Sequence, residues 1–215
     1  LGIKINSFTS QIGKIKMDKE FNEKMSKLIY KNEVRCPEEK TAKKMRDSIL
    51  DARKKGDSLG GIIESITTNV PVGLGEPIFS SLESDLSKAI FSIPSVKGIE
   101  FGSGFQGSEL FGSENNDLYT MKKGKIVTKT NNSGGILGGI SNGMPITMRI
   151  AFKPASSIAQ KQSTVDIKNK KDSILQVKGR HDPCVVPRAA PVVDSLVALT
   201  IADHALITGA IKPSL

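Results

Sequence analysis

The sequence has no tryptophan, and it contains only two tyrosines, two histidines and two cysteines among its 215 residues. Aromatic residues make up 5% of the chain, which disfavours a platform of stacked rings for nucleic-acid bases. The cysteines, Cys36 and Cys184, lie too far apart to indicate a disulfide framework, so a reducing, cytoplasmic compartment is expected. His181 lies near Cys184, but the other histidine, His204, comes 23 residues later in an apolar helix and Cys36 has no nearby partner. A structural zinc site is therefore disfavoured, no metal is expected, and His204 is expected to be a core residue.

Long unbroken apolar runs and signal-peptide patterns are absent from the sequence as well. No membrane partner is therefore expected, and a composition of 38% hydrophobic and 25% charged residues is typical of a globular protein. The chain starts with "LGIKINSF", without methionine and already with the alternation of a strand. We therefore expect residues 1–215 to form a single domain that belongs to a longer protein.

The formal net charge is +9, which would suit nucleic acid, an acidic membrane surface or small anionic ligands. Much of this charge falls in residues 38–57. Ala42, Met45, Ile49 and Ala52 keep helical spacing there, which places the lysines and arginines on the opposite, solvated face. A charged helix face explains the charge without a nucleic-acid partner, and none is expected.

Helical and strand-like segments are mixed along the chain without regular β-α-β alternation. This mixture favours an α+β fold with helices packed on antiparallel or mixed sheets. Helices are predicted over 37–56, 78–92 and 191–206, strands over 60–70, 96–102 and 145–152, and a hairpin over 118–130 that turns at Lys123 and Gly124.

Two polar segments could bind an anion. Residues 131–143, "NNSGGILGGISNG", contain five glycines, whose backbone can approach a ligand or simply form a turn between strands. Residues 153–158, "KPASSI", place Lys153, Ser156 and Ser157 just after a predicted strand. An ammonium group and two hydroxyls suit a phosphate, although a strand end with ordinary turn residues has the same composition.

Residues 178–184, "KGRHDPC", hold one histidine and one cysteine beside an arginine and an aspartate. A metal site lacks further ligands, and Cys184 is expected to be a buried thiol. Arg180 could bind phosphate or carboxylate through its fork of N–H donors, and Asp182 could exchange a proton. A surface turn that caps the following helix is an equally good interpretation of these residues.

Five segments taken in order identify a family resemblance. They are "GDSLGG" (56–61), the stretch from "TNVPVGLGEP" to "GIEFGSGF" (68–105), "NNSGGILGGISNG" (131–143), "FKPASSI" (152–158) and "KGRHDPC" with the helix after it (178–206). In the order, spacing and residues of these segments, the chain resembles the C-terminal part of the chorismate synthase family. The resemblance covers nearly all 215 residues.

The resemblance implies a lyase of aromatic amino-acid biosynthesis in the shikimate pathway. Members convert 5-enolpyruvylshikimate 3-phosphate to chorismate and phosphate by anti-1,4-elimination. They require reduced FMN, which some members obtain with NADPH. The family fold is a layered β-α-β sandwich, and the enzyme is usually a homotetramer.

The resemblance also implies roles for individual residues. Asp182 corresponds to the aspartate implicated in proton transfer near flavin N5, and it is the predicted catalytic residue. The predicted FMN contacts are Pro94, Ser95, Gly138, Lys153, Pro154, Ala155, Ser156, Ser157 and Arg180.

The sequence departs from the family pattern at three positions and in one larger respect. Ala155 stands where threonine is usual, Asp194 where glutamate is usual, and Asn132 where many members have histidine. The family's GESHG-type segment, S-[A/G]-R segment and two functional histidines have no match among these residues. The polypeptide alone is therefore expected to be catalytically incomplete, and the alternative to an active lyase is a module that binds flavin or only assembles with partners.

Overall fold

The structure of the protein, a computed structural model, describes residues 1–212. These residues form eleven strands, four α-helices and three 3-10 segments. The strands are β1 (Lys4–Ile12), β2 (Ile15–Lys16), β3 (Gly61–Thr68), β4 (Val96–Phe101), β5 (Tyr119–Lys122), β6 (Lys125–Thr128), β7 (Ile136–Leu137), β8 (Ile140–Ser141), β9 (Ile146–Phe152), β10 (Gln162–Asp166) and β11 (Lys171–Leu175). The helices are α1 (Glu39–Lys54), α2 (Leu82–Phe91), α3 (Gly112–Asn115) and α4 (Val186–Ile207), and the 3-10 segments are Glu23–Lys31, Ile78–Ser80 and Gly104–Glu109.

The largest sheet has five strands in the order β2-β1-β3-β9-β4. Three further pairs, β5–β6, β7–β8 and β10–β11, are separate antiparallel hairpins. Together with the four helices they make an α+β fold, which confirms the predicted class. The predicted hairpin over 118–130 is also confirmed, because β5 and β6 turn at Lys123 and Gly124.

The chain divides into two compact units. Unit 1 comprises residues 1–8, 63–151 and 189–215, and unit 2 comprises residues 9–62 and 152–188. A single domain over residues 1–215 stays a prediction.

In unit 2, α1 packs against β2 through one apolar face. Thr41, Ala42, Met45 and Ala52 are buried, and the lysines of the helix are exposed, as the spacing predicts. Complete burial of a side chain such as Met45 contributes about 1.5–3 kcal/mol. The positive charge of this helix is therefore mainly a solvated face.

In unit 1, α2 packs against β4 through three fully buried side chains, Leu82, Leu86 and Ile90. The helix begins after Ser81, whose hydroxyl accepts a hydrogen bond from the Ser84 N–H and so satisfies one donor of the first turn. The predicted start at residue 78 is wrong by one turn, because Ile78–Ser80 forms a separate 3-10 segment.

The glycine-rich segment contains the tight hairpin of β7 and β8. Gly138 and Gly139 connect the two strands with φ angles of 60° and 84°. Positive φ at both central positions is the requirement of a type I′ turn, which explains the two glycines. A Cβ on Gly139 would also collide with Ser81 at the start of α2.

The start of the glycine-rich segment is held by the carboxylate of Asp117. It accepts hydrogen bonds from the backbone N–H groups of Asn132 and Ser133, each at 2.8 Å, and from the Thr130 hydroxyl at 2.6 Å. Burial opposes ionisation of this carboxyl, but the hydrogen bonds outweigh burial and hold its pKa below the ordinary value.

Helix α4 begins at Val186, five residues before the predicted start, and it accommodates Pro191 in its second turn. By length and composition alone this helix could cross a bilayer, which corrects the expectation drawn from unbroken apolar runs. In unit 1, however, Val193, Val197 and Ile201 are buried along one face, as in a core helix.

His204 lies in the same helix and is 1% exposed, with its Nε2 3.1 Å from the Asp85 carboxylate of α2. Its burial confirms that the histidine is a core residue. Among residues 1–212 its Nδ1 has no hydrogen-bond partner, so the ring is only half satisfied.

Replacing Asp117 with asparagine should lower the free energy of unfolding by about 1–3 kcal/mol at pH 7, because two backbone N–H donors lose a charged acceptor. A depressed folded-state pKa contributes stability above the unfolded pKa of about 4, and that stability is lost as the pH falls through the folded value. The difference between variant and parent should therefore shrink below pH ~4. Urea unfolding at several pH values measures the difference in unfolding free energy, and Asp203→Asn, at an exposed position, is the matched control. A difference that does not depend on pH would contradict the lowered pKa of Asp117.

Candidate functional site

The loop of residues 56–61, "GDSLGG", connects the two polar segments of unit 2. The Ser58 hydroxyl donates to the carbonyl of Ala155 at 2.6 Å, and Ser58 is 8% exposed. The Leu59 N–H donates to the carbonyl of Pro183 at 2.8 Å. One short loop therefore fixes both the "KPASS" segment and the "RHDPC" segment, which no spacing in the sequence indicated.

A cavity of about 650 Å³ lies beside this loop in unit 2. Its charged wall contains three arginines and two aspartates, which come from the end of α1, from the 56–61 loop, from the "RHDPC" segment and from the start of α4. The lining residues are Arg53, Gly56, Asp57, Ile158, Ala159, Gly179, Arg180, His181, Asp182, Pro183 and Arg188. The predicted pair of Arg180 and Asp182 is therefore brought to one cavity.

Asp182 is held by an ion pair with Arg188, whose Nη1 lies 2.7 Å from the carboxylate Oδ2. Helix α4 begins only at Val186, and the side-chain bond of Asp182 goes to a guanidinium instead of a backbone N–H. The Asp182 side chain therefore does not cap this helix, and the interpretation of residues 178–184 as a capping turn stays a prediction. In the part of the chain that the structure describes, its other oxygen, Oδ1, accepts no hydrogen bond.

Cys184 and His181 do not form a nucleophile with its base. Cys184 is buried at 6% exposure, and burial raises the pKa of its thiol to about 11, so the thiol stays protonated near neutral pH. His181 places its Nε2 3.3 Å from the carbonyl of Val177. Among residues 1–212, no three histidine, cysteine, aspartate or glutamate side chains are grouped so that they could hold a metal ion.

The "KPASS" segment follows β9 as an irregular stretch in unit 2. Its Ala155 carbonyl is taken by Ser58, and the Lys153 Nζ lies 3.3 Å from the neighbouring Pro154 carbonyl. Ser156 and Ser157 are exposed, which leaves their hydroxyls accessible to a ligand. Ile158 and Ala159, which come directly after Ser157, line the cavity.

The other three predicted FMN contacts, Pro94, Ser95 and Gly138, belong to unit 1. Pro94 and Ser95 form the turn between α2 and β4, and Ser95 has a φ of 78°. A non-glycine residue in this region is strained, and such strain is concentrated at functional positions. Gly138 is exposed at its hairpin turn, and a Cβ there would meet nothing within 4 Å.

Sequence reasoning missed Arg53, Asp57 and Arg188 as cavity residues. Arg53 falls on the predicted solvated face of a charged helix, and Arg188 lies three residues before the predicted start of the last helix at residue 191. Asp57 lies inside the "GDSLGG" segment, which contributed to the resemblance, and Arg53 lies three residues before it. That position is the available signal for both residues. Their charges could not be placed together until the loop was seen to reach Pro183.

Comparison with known proteins shows the family of the chain. The chain is 50% identical over 204 residues to a chorismate synthase of Korarchaeum cryptofilum, a match that covers 95% of this chain and 56% of that protein. It is 51% identical over 206 residues to a chorismate synthase of Prochlorococcus marinus, covering 95% of this chain and 54% of that protein. A solved structure, described as a crystal structure of chorismate synthase, matches with a TM-score of 0.76 and 30% identity over 96% of this chain and 58% of that one.

The chain thus spans a little over half of the length of the relatives that it matches. The sequence model of the chorismate synthase family, described as "Chorismate synthase", matches residues 1–206. The chain belongs to the chorismate synthase family.

Proposed function

We propose that the protein takes part in the elimination of phosphate from 5-enolpyruvylshikimate 3-phosphate to give chorismate, with reduced FMN as cofactor. The observation that carries the proposal is the cavity in unit 2, where Arg180 and Asp182 meet two further arginines. Both the substrate and FMN carry a phosphate, and arginine binds phosphate through paired N–H donors. Family membership supplies the reaction class, and the cavity supports the binding of its charged ligands.

The residues of unit 2 fit FMN by the chemistry of their free donors. Among residues 1–212 the Arg180 guanidinium makes no ion pair or side-chain hydrogen bond, so all of its donors remain for a ligand. Ser156 and Ser157 offer exposed hydroxyls, and Ser156 can substitute for the threonine hydroxyl that Ala155 lacks. Lys153 to Ser157 and Arg180 would hold the flavin, while contacts from Pro94, Ser95 and Gly138 stay predictions from the resemblance.

Reduced FMN, when bound, would supply an electron transiently and regain it, so the elimination would have no net redox change. The elimination also removes a hydrogen from the substrate ring, so a protein group must handle a proton. Asp182 is anchored at Oδ2 by Arg188, and its Oδ1 accepts no bond from the described residues. The carboxylate can therefore take up or release a proton at Oδ1 without losing its orientation.

An alternative for the 215 residues taken alone is flavin binding without turnover. The motifs that the family carries in its N-terminal half, including two functional histidines, have no match here. NADPH as flavin reductant, a homotetramer and a cytoplasmic location belong to the same proposal, and the resemblance is what supports them.

The isolated 215-residue chain should bind FMN and release no phosphate from 5-enolpyruvylshikimate 3-phosphate, because the missing motifs supply part of the site. Anaerobic assay of phosphate and chorismate with photoreduced FMN measures this, and addition of the family's N-terminal segments should restore turnover. Phosphate release by the chain alone would show that the residues present suffice.

Asp182→Asn should lower turnover by roughly 10²–10⁴-fold, measured in a preparation in which the parent chain releases phosphate. The amide cannot exchange a proton at this position but has nearly the same shape, so FMN affinity should change little. Asp172→Asn, on an exposed strand of the same unit, is the control. Near-normal turnover of Asp182→Asn would remove this residue from the proton-transfer role.

Arg180→Ala should weaken FMN binding by roughly tenfold or more, because a charged hydrogen-bond donor contributes about 1.5–3 kcal/mol. Quenching of flavin fluorescence gives the dissociation constant. Lys178→Ala removes an exposed charge from the same segment without touching the cavity wall, and it should leave the constant unchanged. Equal effects of the two substitutions on the dissociation constant would show that FMN responds to the overall positive charge of the segment and not to a direct contact with Arg180.

A further inference from the structure

We propose that Arg53, a residue to which neither the sequence motifs nor the family resemblance assigns a role, binds the phosphate group of a ligand in this cavity together with Arg180. The chemical class of the ligand is a phosphate monoester. The proposed function is needed only to say which monoesters these are, namely FMN and the shikimate-type substrate.

The first step of the argument is which cations of this region are already paired. Arg188 pairs with Asp182, Arg46 with Glu33 and Lys55 with Asp51, each at 2.7 Å. Among residues 1–212, Arg53 makes no such pair and no side-chain hydrogen bond, and the same holds for Arg180. The cavity therefore has two guanidinium groups whose donors are not taken by the protein.

The second step is the charge of the cavity wall. The Asp182–Arg188 pair is neutral, and Asp57 accepts a hydrogen bond from the adjacent Ser58 N–H at 2.8 Å. The two positive charges of Arg53 and Arg180 outnumber the one negative charge of the Asp57 carboxylate, so the cavity wall has a net positive charge. A phosphate monoester carries up to two negative charges at neutral pH and can accept hydrogen bonds from both guanidinium forks.

The third step is that the backbone under Arg53 is fixed to the cavity wall. The Gly56 N–H donates to the Arg53 carbonyl at 3.1 Å, and the Gly56 carbonyl accepts from the Ala159 N–H at 3.0 Å. The Gln160 side chain donates to the Lys55 carbonyl at 3.0 Å. These bonds tie the end of α1 to residues 159 and 160, so the backbone of Arg53 is held beside the cavity while its exposed side chain stays accessible to a ligand.

A competing role for Arg53 is purely structural. A cation in the last turn of a helix interacts favourably with the helix dipole, and Lys54 occupies the same turn. A structural role predicts that Arg53→Ala and Lys54→Ala have similar effects and that neither distinguishes a phosphorylated ligand from its dephosphorylated form.

The test compares ligand pairs that differ only in phosphate, with Arg53→Ala against the matched control Lys54→Ala in the 215-residue chain. Calorimetric titrations use FMN against riboflavin and shikimate 3-phosphate against shikimate. We expect Arg53→Ala to raise the dissociation constant of at least one phosphorylated ligand by roughly tenfold or more. The dissociation constant of the matching dephosphorylated ligand should not change. Loss confined to FMN assigns the flavin phosphate, and loss confined to shikimate 3-phosphate assigns the substrate phosphate.

Unchanged affinities, or equal losses for phosphorylated and dephosphorylated ligands, would overturn the role of Arg53. If the parent chain binds neither FMN nor shikimate 3-phosphate, the proposed function fails separately, and inorganic phosphate followed by ³¹P NMR becomes the probe. Binding of phosphate by the parent and by Lys54→Ala but not by Arg53→Ala would then still support the site, whereas no binding by the parent would overturn it.

Discussion

The candidate site depends on a close approach of backbone at Gly60 and Gly61, where no side chain has room. A Cβ on Gly60 would collide with the carbonyl of Phe152, and one on Gly61 would collide with the carbonyl of Gln11. Only because the chain passes this closely can Leu59 bond to the Pro183 carbonyl. A larger residue at either glycine would force the loop outward and separate the "KPASS" segment from the "RHDPC" segment.

Burial makes this arrangement stable as well as close. The Ser58 hydroxyl lies at 8% exposure and its acceptor, the Ala155 carbonyl, is bound 97 residues away along the chain. An unsatisfied buried polar group costs about 1–3 kcal/mol, so the loop and the "KPASS" segment are strongly favoured to stay together. The Ser58–Ala155 hydrogen bond therefore also fixes the backbone next to Ser156 and Ser157, whose hydroxyls are exposed.

Local patterns predicted the α+β class and most elements. Helical spacing, as at Ala42 and Met45, and turn glycines, such as Gly138, depend only on neighbouring residues and can be read from the sequence. A short motif singled out Asp182 and Arg180, but local chemistry fitted a capping turn equally well, and only the family resemblance assigned them to a site. Arg53 and Arg188 were not singled out, because membership of the cavity depends on long-range bonds from the 56–61 loop. The start of α4 was missed because Pro187 and Pro191 indicate a break, yet proline fits the first turn of a helix and the chain accommodates the second one.

The net charge of +9 is a poor guide to function in this protein, and the pairing of individual charges is a better one. Most cations of α1 face solvent, where an ion pair such as Arg46–Glu33 contributes about 0–1 kcal/mol and identifies no ligand. Arg188 is used to orient Asp182. Among residues 1–212, the cavity is distinguished by two guanidinium groups, those of Arg53 and Arg180, that form no ion pair with a carboxylate. The phosphate ligand that we propose would bring the negative charge that this part of the cavity wall lacks.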